Sequence, residues 1–389
     1  MKFLMLTWNY PPVVGGIEQV AQYTATGLRG RGHTVRVVAS ALPPGAQKTD
    51  DSTRHLYRAR KKGIPAFLWH AFFTGLRLIR QEKLDAILCP SLTSGPAAWL
   101  ISQWTRVPYA IQIHGSDVLV SNRLYQWVIT PLLSGARMLF ANSQNTADLL
   151  IRRGLHRTKI RVVSPGVTPP PPLEATSTDS TIQLLAEIKG RPILLTVGRL
   201  IRRKGILEFI EQVIPLLSVR IPDLIYLIVG GEPRASLIHR ERILEELTLA
   251  IQNGGHENRV KWLGRLSDAD LKLVYQQADL FVLPCLDTPK DVEGFGIVIL
   301  EAALHGVPCV ATRCGGLPDA VADGKTGLLV EPGRFSEMAD ALCELLGQPD
   351  RLAALGAAAR QRTLAEFTWD AVAARYEAGL QSMLESGSR

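Results

Sequence analysis

Asp291-Val292-Glu293-Gly294-Phe295-Gly296-Ile297-Val298-Ile299-Leu300-Glu301-Ala302 combines an acid, two glycines around an aromatic, and an apolar run that ends in a second acid. The pattern predicts a loop delivered onto a helix from Ile297 to His305. Glycine lets the backbone take turns and approach a ligand closely where a side chain would forbid it. The helix opens with unpaired N–H groups and a positive dipole end, a site suited to phosphate. Glu293 precedes the turn and Glu301 lies a little over one turn into the helix. Two carboxylates are poor phosphate ligands but good acceptors for sugar hydroxyls. A plain strand–loop–helix corner with two solvated acids is the competing reading of this segment.

On either side of this stretch the chain alternates strands and helices. Leu280 to Leu283 precedes it as a buried strand and Val307 to Thr312 follows it. Upstream, Pro192 to Val197 is a strand running into Gly198-Arg199-Leu200-Ile201-Arg202-Arg203-Lys204-Gly205 and a helix from Ile206. Leu224 to Val229 ends in Gly230-Gly231, and Val260 to Leu263 ends in Gly264-Arg265-Leu266. The first half of the chain has the same rhythm. Lys2 to Thr7 is a strand, Tyr10 to Glu18 a Pro/Gly loop holding Gly15 and Gly16, Ile17 to Arg31 a helix and His33 to Ala39 a strand. This βαβ unit implies a parallel sheet, with ligands at the C-terminal strand ends. GxGxxG is missing there, which counts against a nicotinamide enzyme. Tyr109 to Ile113 ends in His114-Gly115, aimed at the same crevice. Thr168 to Thr181, with Pro169 to Pro172, is a stiff extended linker.

The chain has 389 residues, long for one domain, with 46% hydrophobic content. Its net charge of +8 and pI near 9.3 favour an anionic partner. The five cysteines form no CxxC pair, so neither a zinc ribbon nor a disulfide framework is indicated. The amino terminus is too short and too soon polar for a signal peptide, and no apolar run reaches membrane-spanning length. No stacking platform or reading motif for nucleic acid is present. Residues 58–80 stand apart: Arg58, Arg60, Lys61 and Lys62 precede an apolar, aromatic helix whose polar strip is His70, Thr74 and Arg77. Such a helix is either buried or rests on an anionic membrane.

Arg199 and Lys204 follow a strand in the loop that faces the Gly294–Gly296 turn. A planar fork and a compact point charge beside a helix N-terminus suit a departing nucleotide diphosphate. No DxD-type pair sits in a suitable loop. Asp268 and Asp270 read as a helix N-cap and a first-turn charge, so neither a metal nor a cofactor is expected.

Jointly, Gly15-Gly16, His114-Gly115, Val163 to Gly166, Gly198-Arg199 with Lys204, Gly230-Gly231, Gly264-Arg265-Leu266 and Glu293 to Glu301 resemble the retaining glycosyltransferases of family four, over essentially the full length and in order. The resemblance implies an α/β GT-B fold of two facing Rossmann-like domains. These would be an acceptor-binding domain over 1–168, a linker over 169–181 and a nucleotide-sugar domain over 182–365. A C-terminal helix over 366–389 would pack back on the first domain. It implies catalytic roles for His114, Arg199, Lys204 and Glu293. Glu293 and the N–H groups of Phe295, Gly296 and Ile297 would hold the transferred sugar, and Glu301 the ribose. Gly16 would approach the diphosphate, and Leu266 and its neighbours the base. Gly15, Gly198, Gly230, Arg265, Gly294 and Val298 complete the donor-binding set.

The wording of the central motif looks like the mannosyltransferase branch that elongates phosphatidylinositol mannosides or other lipid-linked glycans. The expected partners are therefore GDP-mannose, a glycan or lipid-linked acceptor, and an anionic membrane surface met through residues 58–80. Nucleic acid is not among them. A cytoplasmic protein, peripheral on the inner face of the plasma membrane, is the matching location. Transfer from a UDP-sugar (glucose or N-acetylglucosamine), a sugar-nucleotide 2-epimerase and a non-catalytic nucleotide-sugar-binding protein are the alternative readings.

Overall fold

The computed structural model describes residues 1–13, 15–42, 55–120, 122–169, 177–232, 243–288 and 291–386. They fall into two compact units, Met1–Gly166 with Thr368–Arg389, and Val167–Phe367.

The first unit is built on strands β1 (Lys2–Thr7), β2 (Thr34–Ala39), β3 (Leu56–Arg58), β4 (Ala86–Cys89), β5 (Tyr109–Ile113), β6 (Met138–Ala141) and β7 (Ile160–Val162). They form one parallel sheet in the order β3-β2-β1-β4-β5-β6-β7. Phe3 to Leu6, Ala86 to Cys89 and Tyr109 to Ile113 are buried, as a sheet covered by helices on both faces requires. Strand order reverses between β1 and β4, the kind of switch point at which open α/β sheets leave a crevice. Helices α1 (Gly16–Gly30), α2 (Ile64–Glu82), α3 (Gly95–Thr105) and α4 (Arg123–Gly135) belong to this unit.

The second unit holds β8 (Ile193–Val197), β9 (Ile225–Val229), β10 (Val260–Gly264), β11 (Leu280–Leu283), β12 (Cys309–Thr312) and β13 (Gly327–Val330). Its sheet is also parallel, in the order β10-β9-β8-β11-β12-β13. Here β8 and β11 flank the reversal. Helix α5 (Ile297–Leu304) leaves the loop after β11. The last helix, α6 (Trp369–Glu385), returns to the first unit. Its face of Val372, Tyr376, Leu380 and Met383 is buried in the cluster formed by α1 and the first sheet. Tyr376 meets Phe140 edge-on, with ring centroids 4.8 Å apart, and Trp369 stacks on Tyr23 at 4.8 Å.

Four details differ from the sequence reading. A helix already begins at Asp179, inside the stretch taken as linker, because Thr178 and Asp270 fix its start: Asp270 Oδ1 accepts from the Thr178 N–H at 2.8 Å. Residues 170–176 of that stretch lie outside the described residues. Strand β3 is an added element, its three residues too few to carry a readable alternation. The cap of helix Asp268–Gln277 is Ser267, whose Oγ accepts from the Asp270 N–H at 3.1 Å, so both aspartates are first-turn residues. In α2 the polar strip is divided, with Arg77 exposed and Thr74 inside. Thr74 is buried near His70, while Trp69 and Phe73 point outward.

Candidate active site

Two loops of the second unit meet at the switch between β8 and β11. The first runs from Gly198 to Gly205 and contains the short 3₁₀ turn Arg202–Lys204. Residues in such a turn point in three directions, about 120° apart. Arg202 goes outward, to Glu246 and Glu208. Arg203 and Lys204 turn inward and are buried. The second loop comprises Pro284 to Thr288 and Asp291 to Gly296. Gly205, at φ +67°, lets the two pack backbone to backbone: a Cβ there would lie 1.9 Å from the Pro284 carbonyl oxygen. The Leu286 N–H then donates to the Arg203 carbonyl at 2.9 Å. A third segment closes the corner, where the Gly316 N–H donates to the Glu293 carbonyl at 2.8 Å.

This packing buries Glu293 between cations. Lys204 Nζ lies 2.8 Å from Glu293 Oε2. The Arg203 guanidinium donates to the same oxygen and, through Nε, to Asp291 Oδ2 at 2.8 Å. The Cys285 thiol also faces Oε2, at 3.8 Å, and burial pushes that thiol up so that it stays protonated. Burial alone would raise the Glu293 carboxyl as well. The Lys204 and Arg203 charges more than offset it and hold the group at about 2. Three donors thus converge on Oε2, while Oε1 takes none among the described residues and is the oxygen left for a ligand.

Gly296 is the left-handed residue at the start of α5, at φ +84°. Among the described residues, the N–H groups of Phe295, Gly296 and Ile297 have no hydrogen-bond acceptor, as expected at an uncapped N-terminus. Phe295 turns its ring into the core, against Phe367 at 5.6 Å, so only its backbone is available. Gly294, Ile297 and Val298 are half-buried beside it. One turn on, the Tyr275 hydroxyl donates to Glu301 Oε2 at 3.1 Å. Burial lifts the Glu301 carboxyl above the ordinary carboxylate range, and the Tyr275 bond lowers it only in part. The two acids of the motif are therefore unlike: Glu293 is locked as a carboxylate, and Glu301 titrates late.

The remaining candidates of this unit lie along the strand ends. Gly198 donates to the Val229 carbonyl at 2.9 Å, and Gly230 to that of Gly264 at 2.7 Å, which stitches the ends of β8, β9 and β10 together. Arg265 is exposed, with Nη2 donating to the Glu232 carbonyl at 3.1 Å, and Leu266 packs on the core. Arg199 is exposed and forms no ion pair among the described residues. Lys204 joins Glu293, but Arg199 does not; the second partner of Glu293 is Arg203. The sequence shows Arg203 only as one of four cations, with Arg199, Arg202 and Lys204, in the Gly198–Gly205 loop, because the direction of a side chain in a 3₁₀ turn has no linear signature. Asp291 and Tyr275 were not singled out, and no spacing marks them.

In the first unit, Gly15 and Gly16 open α1, and Gly16 is exposed. Beside them Glu18 is buried and accepts from Asn9 Nδ2 at 2.7 Å. His114 follows β5. Its Nε2 donates to the Pro90 carbonyl at 2.7 Å, and its N–H donates to Asp117 Oδ2 at 3.2 Å. That fixes the ring and, in the neutral imidazole, leaves Nδ1 as an acceptor for a hydroxyl.

Two Rossmann-like sheets, each with loops of this kind at a switch point, are the architecture of nucleotide-sugar transferases, and the comparisons agree. Residues 15–166 match the model of the glycosyl transferase 4-like domain, and residues 191–348 that of glycosyl transferases group 1. A D-inositol 3-phosphate glycosyltransferase of Corynebacterium glutamicum is 31% identical, covering 93% of this chain and 90% of its own. A GDP-mannose-dependent alpha-(1-6)-phosphatidylinositol monomannoside mannosyltransferase of Mycobacterium tuberculosis is 27% identical, over 96% of each chain. The crystal structure of Anabaena Alr3699/HepE in complex with UDP superposes with a TM-score of 0.76 at 23% identity, over 98% of this chain and 100% of that one. The chain belongs to glycosyltransferase family four, with the GT-B fold. It is a hexosyltransferase.

Proposed function

We propose that this enzyme moves a mannosyl residue from GDP-mannose to a glycan or lipid-linked acceptor, with retention of configuration. The observation that carries this is Glu293, held ionised by Lys204 and Arg203 with Oε1 open, beside the unpaired N–H groups that begin α5. The open oxygen accepts from hydroxyls of the transferred sugar. Those N–H groups, with Arg199 and Lys204, take the charge that builds on the leaving diphosphate, so that charge neutralisation rests on side chains and backbone rather than on a metal. Glu301 accepts from the ribose. In the step itself the acceptor oxygen forms a bond to the anomeric carbon while the bond from that carbon to the diphosphate breaks. The departing phosphate oxygen takes the acceptor's proton, so no protein base is required. His114 accepts from a hydroxyl through Nδ1.

The mannosyl donor is supported by the motif wording and by the name of the mycobacterial relative. That name also supports a lipid-borne acceptor, which would be met at the inner face of the plasma membrane. A UDP-sugar donor is the second reading, favoured by the Anabaena complex with UDP. The test is calorimetric titration of the purified chain with GDP, UDP and ADP in the absence of divalent metal. Product analysis with GDP-mannose and UDP-glucose then follows, with and without an inositol-bearing lipid acceptor. Preferential GDP binding and acceptor-dependent mannosyl transfer are expected. Preference for UDP transfers the assignment to the second reading. A product formed from donor alone would indicate an epimerase, and binding of no nucleotide would overturn the assignment.

A further inference from the structure

The outer surface of α2, α3 and α4 carries large apolar side chains that are left mostly exposed. Trp69 and Phe73 of α2 are 70% and 50% exposed, Trp104 of α3 is 67% exposed, and Trp127 of α4 is 77% exposed. They are continuous. Trp69 touches Phe73 at 4.7 Å between centroids, Phe73 touches Phe72 at 5.1 Å, and Phe72 meets Trp104 at 5.7 Å. One helical turn before Trp104, Leu100 reaches the groove between α3 and α4. That groove is open and almost wholly apolar, about 770 Å³ in volume, with Trp99, Trp127, Val128 and Pro131 on its walls.

Charge divides sharply around this face. Residues 58–80 contain six Lys and Arg and no Asp or Glu. Arg60, Lys61 and Lys62 are exposed just before α2. Arg77 and Arg80 are exposed on the same outer stripe of α2 as Trp69 and Phe73. Neither α3 nor α4 carries a carboxylate. The one acid of α2, Glu82, is paired with Arg36, with Arg36 Nε at 2.7 Å. Monomeric soluble proteins rarely leave so large an aromatic surface open, and when they do it marks an interaction site. A protein partner of mixed charge would call for acids as well as bases on the rim. A surface of negative headgroups over hydrocarbon calls for this pattern: amphipathic indole rings at headgroup depth, with bases beside them and no acids. No described helix is long and apolar enough to cross a membrane, so the face would lie on a bilayer rather than in it.

We propose that the α2–α4 face docks on an anionic phospholipid bilayer, with the aromatic rings entering the interface and the α3–α4 groove receiving an acyl chain. The inference rests on the reading of the acceptor as lipid-borne. It also relocates the contact, because residues 58–80 supply only its basic edge and half of its aromatic surface, while α3 and α4 supply the rest.

The test is flotation of the full chain with vesicles of phosphatidylcholine alone and of phosphatidylcholine with phosphatidylglycerol. The chain is expected to float with the anionic vesicles, and less so as salt rises. A Trp104→Ser/Trp127→Ser variant, altered only at exposed positions, is expected to bind at least ~10-fold more weakly. Neutralising Arg60, Lys61 and Lys62 to Ser is expected to cost roughly 5-fold per base. Nucleotide titration of the same variants should match the unaltered chain, so a failure of the transferase reading appears there and a failure of docking appears in flotation. Absence of flotation with anionic vesicles, flotation unchanged by the Trp substitutions, or a self-association abolished by those substitutions would each overturn the proposal. The last outcome would assign the face to a second copy of the chain.

Discussion

Replacing Glu293 by Gln keeps the size of the side chain and removes its charge, so the variant stands in for a permanently protonated Glu293. The folded protein holds this carboxyl at about 2, against 4.5 for an unperturbed glutamate. At about 1.4 kcal/mol per pH unit, that difference makes the ionised form about 3 kcal/mol more favourable in the folded state than in the unfolded one. Glu293→Gln should therefore lose about 3 kcal/mol at pH 7, within the range for breaking a buried ion pair from one side. The sign fixes the pH window. The folded value is depressed, so the contribution is complete above about pH 4.5 and fades as pH falls through about 2. The gap between the native chain and Glu293→Gln should thus be constant from pH 7 to 5 and close towards pH 2. Urea denaturation read by peptide-resolved hydrogen exchange over β8 and β11 follows the second unit separately from the first. A loss under about 1 kcal/mol at pH 7, or a gap unchanged at pH 2.5, would refute the argument that Lys204 and Arg203 together outweigh the burial of this carboxylate.

Arg199→Ala should leave stability within about 0.5 kcal/mol, because the side chain is exposed. It should lower turnover by about 100-fold or more if the residue stabilises the leaving group, and steady-state kinetics beside thermal melts separate the two. Tyr275→Phe removes the hydroxyl that donates to Glu301 and should weaken nucleotide binding by roughly 5-fold in calorimetry, equivalent to about 1 kcal/mol. Since burial holds Glu301 above the ordinary carboxylate range, nucleotide affinity should start to fall at a higher pH than for a free glutamate as the solution is acidified. Gly205→Ala places a Cβ against the Pro284 carbonyl at a positive φ and should cost more than about 2 kcal/mol, with loss of turnover, as melting and kinetics would show.

What could be read from the linear chain was whatever repeats along it. Buried strands such as Lys2 to Thr7 and Ile193 to Val197 are short continuous apolar runs, and each is followed by a glycine-bearing loop and a helix. That rhythm, taken twice, was enough for two parallel sheets, and the motifs from Gly15-Gly16 to Glu301, taken jointly, were enough for the resemblance to the family. Tertiary structure decided the partners and the exposures. Glu293 pairs with residues about 90 positions away because β8 and β11 lie side by side at a switch in strand order, and a 3₁₀ turn there sends Arg203 inward and Arg202 out. The same holds for Trp104 and Trp127, whose exposure no spacing along the chain marks. They are exposed because α3 and α4 meet the sheet with their other faces. Periodicity along a chain records which elements form. The direction a side chain takes, and the charge it meets there, depend on contacts that only the closed fold creates.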